Sequence, residues 1–132
     1  MKRISILLFI ILLGCKPIES DFEKYGSIIG FDTDAPTLII SLENCQYCFS
    51  VFKESLQELE GKKINVIIVS SQEKKANLLA KVDGKSIFID QKKEGLKLGL
   101  IESLPVLFLS GQEKQVIETP DELVDLIQKH VQ

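Results

Sequence analysis

Tryptophan is absent from this chain, histidine occurs once and cysteine only three times. Cys15 closes an N-terminal apolar run, which leaves Cys45 and Cys48 as one pair. One pair is too few for the disulfide framework of a small secreted domain and too few for a tetrahedral zinc site. His130 stands alone in the last turn of the C-terminal helix, where a cation suits the helix dipole, and it reads as structural or surface. Basic excess is missing too. The net charge is −3, and loss of residues 1–14 would remove Lys2 and Arg3 but no acid, giving about −5. That excludes a general nucleic-acid binder, which carries a basic face. The longest apolar run, Ile4 to Leu13 interrupted by Ser5, is ten residues and too short to span a bilayer. There is no internal repeat and no low-complexity segment. With 45% hydrophobic and 27% charged residues, the rest has the composition of an ordinary globular protein with one core.

The chain is organised around Pro36 to Glu60. Thr37 to Leu42 is a β-branched apolar run without alternation, the pattern of a strand covered on both faces. Glu43-Asn44 breaks it, and Asn44 is a good N-cap. From Cys48 the inward residues fall at Cys48, Phe52, Ser55/Leu56 and Leu59, one face of a helix. Cys45 then sits at a helix N-terminus, where unpaired N–H groups and the macrodipole favour a thiolate. Cys48 lies one turn later, within disulfide reach. A Cys-x-x-Cys beside a βα pattern reads as a redox motif.

Around this stretch, Lys16 to Lys24 reads as a tether, Tyr25 to Phe31 as a short edge strand, and Asp32 to Pro36 as a turn. After the motif helix, Gly61 is a stop signal and Ile64 to Val69 a second buried strand. A helix is expected over Gln72 to Lys81, a strand over Ser86 to Asp90, and a weak helix over Gln91 to Leu98. Leu104 to Ser110 is a strand begun by Pro105. A hairpin turn at Ser110 to Glu113 leads into Lys114 to Glu118. Thr119-Pro120-Asp-Glu starts a closing helix with Leu123, Leu126, Ile127 and His130 inward. This order predicts an α/β fold, with a mixed central sheet flanked by helices on both faces.

Two resemblances follow from these residues. Met1-Lys-Arg, the apolar run and Leu12-Leu13-Gly14-Cys15 resemble a lipoprotein signal peptide with its lipobox. That implies cleavage before Cys15 and lipidation of it. The resulting protein would sit in the cell envelope, lipid-anchored on the extracytoplasmic side of a bacterial membrane. The second resemblance, over roughly residues 28 to 131, is to the thioredoxin superfamily. Cys45-Gln-Tyr-Cys48 follows a buried strand, Gly99 to Leu109 is similar to the loop and strand that carry the family's cis-proline, and Gly111 stands as the hairpin glycine. The extra helix and strand at 72–90 resemble the insertion of the anchored TlpA/ResA-type oxidoreductases. The expected parts are therefore a signal peptide at 1–14, a lipidated tether at 15–27 and a thioredoxin-like domain at 28–132. The family's Trp before the first cysteine is Asn44 here, Gln46-Tyr47 replaces the frequent Pro within the pair, and thioredoxin's buried acid is Ile39.

The resemblance implies a thiol–disulfide oxidoreductase that needs no cofactor and no metal. Cys45 is the attacking thiol and Cys48 the resolving one. Leu104–Pro105 is expected to be cis and to lie beside Cys45. Gln46, Tyr47 and Leu104 are the positions expected to meet substrate. The partners implied are protein thiols and disulfides, an upstream reductant, and the membrane through the anchor. Glu43 stands two residues before Cys45, and neither residue between the cysteines is cationic. The Cys45 pKa is thus expected nearer neutrality than the ~3.5 of strong oxidants, with a potential on the reducing side of about −200 mV. The alternatives are a non-catalytic thioredoxin-fold lipoprotein, or a Cu(I)-handling protein that uses the same two thiolates.

Overall fold

The computed structural model describes residues 17–43, 48–79, 87–109 and 113–131. Its framework is a five-stranded mixed sheet in the order β3-β2-β1-β4-β5. The centre is β1 (Thr37–Ser41), buried at every position, as its unbroken β-branched and apolar sequence requires. Beside it runs β2 (Asn65–Val69), equally buried and parallel to β1, with Thr37 opposite Asn65 and Ser41 opposite Val69. A parallel pair needs a crossover, supplied here by α2 (Cys48–Gln57). A second crossover through α3 (Glu73–Leu79) adds β3 (Ile87–Asp90), parallel to β2. On the other side, β4 (Val106–Phe108) is antiparallel to β1, and β5 (Lys114–Val116) is antiparallel to β4. The closing helix is α5 (Pro120–His130). Thr119 caps it, its hydroxyl oxygen accepting the Glu122 N–H at 3.2 Å, and Pro120 stands at the first turn.

Strand alternation divides the core in two. Leu38, Ile40, Val66, Ile68 and Leu107 meet Phe52 and Leu56 of α2, Ala76 of α3, and Leu123 and Ile127 of α5. Ile39, Ile67, Val69, Val106 and Phe108 face the opposite way, against Phe22, Tyr25 and Phe31. Helices thus cover both faces, and the α/β architecture is as expected.

The N-terminal part of the domain is not. The stretch read as a tether and then an edge strand is α1 (Asp21–Ile29). Ser20 and Glu23 form a reciprocal capping box at its start, and Gly30 ends it in the left-handed conformation at φ 95°. Phe22 stacks on Phe108 with ring centroids 4.3 Å apart, and Tyr25 is fully buried. The domain therefore includes Asp21–Ile29, most of which lies before the expected boundary at residue 28. At the other end, His130 is exposed, so only Leu123, Leu126 and Ile127 of the expected inner side turn toward the core. The weak helix shortens to α4 (Glu94–Lys97), and the strand expected from Leu104 begins at Val106.

Candidate functional site

The three parallel strands end together at one edge of the sheet, and the Cys-x-x-Cys segment leaves from the middle one. The β1–β2 ladder continues one residue past Ser41, because the Leu42 N–H donates to the Val69 carbonyl at 2.9 Å. Glu43 follows. Its carboxylate accepts the backbone N–H of Ser71 at 2.5 Å and the Ser71 hydroxyl at 2.9 Å. Lys93 Nζ lies 4.0 Å from the other carboxylate oxygen. The Ser71 N–H holds the Glu43 carboxyl below its ordinary pKa, aided by the Ser71 hydroxyl, Lys93 and Lys75 and opposed by partial burial. Ser70 N–H donates to the Asp90 carbonyl at 3.2 Å, so the end of β2 is tied to the end of β3 as well.

Residues 44–47, which include Cys45, Gln46 and Tyr47, lie outside the described residues, as does Cys15. The backbone of Cys48 is the first residue of α2. The pair is therefore bracketed by a buried central strand on one side and a helix start on the other.

Pro105 precedes β4, whose register pairs Val106 with Ile39 and Phe108 with Thr37, so that the strand runs away from the Ser41 end of β1 and Pro105 lies toward that end. Pro105 is buried and Leu104 is 40% exposed, at the same end of the sheet as the motif. The Leu104–Pro105 bond is trans, against expectation, since no cis peptide occurs among the described residues. Trans is the favoured isomer unless a tight turn demands otherwise. Here the Pro105 carbonyl accepts the Ile117 N–H at 2.8 Å, extending the β4–β5 ladder straight out of the strand.

Leu104 also borders a shallow groove of about 200 Å³ with Glu102, Ser103, Val106, Lys114 and Val116. Val116 is 47% exposed. Sequence reasoning had placed Leu104 toward substrate but had not singled out Lys114 or Val116. The signal was available: they alternate along β5, opposite Phe108 and Val106, and so share the sheet face of those two residues.

Among the described residues no group of three or more His, Cys, Asp or Glu side chains is arranged to hold a metal ion, and no helix is long and apolar enough to cross a membrane. No family model matches this chain, and no curated protein matches its sequence.

Proposed function

We propose that this chain is a thioredoxin-like thiol–disulfide oxidoreductase, anchored by lipid at Cys15 on the extracytoplasmic side of a bacterial membrane, that reduces protein disulfides through Cys45 and Cys48. The observation that carries the reading is the position of the Cys-x-x-Cys, between the end of the buried central strand β1 and the first turn of α2. The sheet supports it: a parallel βαβ unit is followed by an antiparallel hairpin and a closing helix packed on the same side as the motif helix. A helix at Glu73–Leu79 and a strand at Ile87–Asp90, where the resemblance expects an insertion, are compatible with it. The trans bond at Pro105 withdraws one feature of the resemblance, so the reading stands on the cysteine pair and the connectivity.

The chemistry is a two-electron exchange. The Cys45 thiolate attacks one sulfur of a substrate disulfide and expels the other as a thiolate. The Cys48 thiolate then attacks Cys45 Sγ, releasing the reduced substrate and leaving the Cys45–Cys48 disulfide. The two electrons come from the pair, and an upstream dithiol must restore them.

The test is equilibration of the full-length chain in detergent against a glutathione series, with the state of each cysteine read by mass spectrometry. A reversible Cys45–Cys48 couple on the reducing side of about −200 mV is expected. A Cys48→Ala variant should accumulate mixed disulfides through Cys45. A pair that never titrates, or a variant that traps nothing, would overturn the proposal.

A further inference from the structure

β5 is the outermost strand on its side of the sheet, and half of its backbone is unused. The Leu109 N–H donates to the Glu113 carbonyl at 3.2 Å, and the Ile117 N–H to the Pro105 carbonyl at 2.8 Å. With Leu107 opposite Gln115, these bonds turn the N–H and C=O groups of Glu113, Gln115 and Ile117 toward β4. Lys114 and Val116 therefore turn theirs to the open edge, where nothing among the described residues pairs with them. The extended path continues to Thr119, at φ −132° and ψ 153°, so Glu118 also faces outward. Its N–H donates to Glu122 Oε2 at 2.9 Å, which leaves its carbonyl for a neighbour.

A lysine on a short edge strand ordinarily keeps other strands away. The order of the outward residues makes this edge different: a cation at Lys114, an apolar side chain at Val116 and an anion at Glu118. That order is complementary to itself in one antiparallel register. A two-fold axis through Val116 sets Val116 against Val116, and Lys114 of each copy against Glu118 of the other. Centring the axis on Gln115 would set Lys114 against Val116. Centring it on Lys114 would set lysine against lysine, and on Ile117 would set Glu118 against Val116. Opposite charges across a strand pair stabilise it and like charges destabilise it, so the register through Val116 is the favoured one. Glu122, drawn to the Glu118 N–H, brings a second carboxylate to the place a partner's Lys114 would take. Val116 and Leu104, 47% and 40% exposed, border the groove on the same margin and supply apolar surface to cover.

We propose that the β5 edge is a self-association surface, on which a second copy of this chain pairs antiparallel about Val116. The two sheets would join into one. The Val116 N–H and C=O groups of the two copies would bond each other, and each Lys114 N–H would donate to the Glu118 carbonyl of the other copy. The contact is isologous and closes at two copies. It does not depend on the oxidoreductase reading.

The test is sedimentation equilibrium of the full-length chain in density-matched detergent. A reversible monomer–dimer equilibrium is expected. Lys114→Glu and Glu118→Lys should each raise the dissociation constant by roughly 2- to 30-fold, because symmetry puts like charges across the strands at two places. The double variant Lys114→Glu/Glu118→Lys should return to within about threefold of the unaltered chain, because the pairs are restored with their signs exchanged. Both side chains are exposed, so the fold is expected to survive each change. A chain that stays monomeric at every concentration would overturn the proposal. So would a dimer indifferent to the single swaps, which would place the contact on another face or in shared micelles. Single swaps that weaken the dimer without rescue by the double would refute the register and the proposal with it.

Discussion

Asp90 is 1% exposed, yet its carboxylate has a donor for each remaining need. Tyr25 Oη donates to Oδ2 at 2.9 Å, the Gly95 N–H to the same oxygen at 2.9 Å, and the Glu94 N–H to Oδ1 at 3.0 Å. A buried carboxylate without such partners would be strongly destabilising. A Cβ at Gly95 would stand 3.0 Å from the Tyr25 hydroxyl oxygen, so any larger residue would press on the Tyr25–Asp90 hydrogen bond. Burial, followed by the Asp90 charge, pushes the Tyr25 phenol far above its ordinary pKa. A raised folded-state pKa contributes stability that is complete below the unfolded value, ~10, and is lost as pH rises beyond it. Tyr25→Phe should therefore lower unfolding free energy by about 1–3 kcal/mol at pH 7, and the difference should shrink above pH ~10. Urea melts of both proteins at pH 7 and 10.5 read this directly. A constant difference across that range would refute the linkage.

At the scale of elements, α1 is where sequence and structure part. Its signals were present: Ser20 and Glu23 have the spacing of a capping box, and Phe22 and Tyr25 lie three apart, on one helical face. Gly26 and Gly30 pulled the reading toward turns, yet Gly26 is buried within the helix and only Gly30 ends it. Pro105 misled differently: the family likeness argued for cis, whereas the bond takes the trans form that X–Pro bonds favour by default. The buried strands β1 and β2 were legible because long β-branched runs admit little else. The Glu43–Ser71 contact was not, because residues 28 apart in sequence meet only once the parallel register is set. Since α1 supplies Phe22 to the core, Phe22→Ala should cost about 3–5 kcal/mol. A loss below about 1 kcal/mol in chemical denaturation would mean that α1 is an appendage after all.

For the whole molecule, the architecture could be read from the order of strands and helices, whereas the anchor can only be argued from the first fifteen residues. Cys15→Ser should abolish detergent-dependent partitioning or leave the N-terminal segment uncleaved. Fractionation with intact-mass measurement decides it, and unchanged partitioning with an unmodified N-terminus would refute lipidation. The position of α1 then takes on a geometric meaning. Phe22, in its first turn, lies against Phe108, and Phe108 is level with Thr37, the first residue of β1; the cysteine pair follows the last. On the reading that Cys15 carries lipid, only four residues lie between it and the helix cap at Ser20, a leash of five steps and at most about 18 Å. The first turn of α1 is thus level with the Thr37 end of β1, about 13 Å of strand from the Ser41 end, after which the motif follows in sequence. If the pair is also redox-active, so short a leash would confine its action to a thin shell above the bilayer, and a disulfide beyond that radius would stay oxidised whatever the potential.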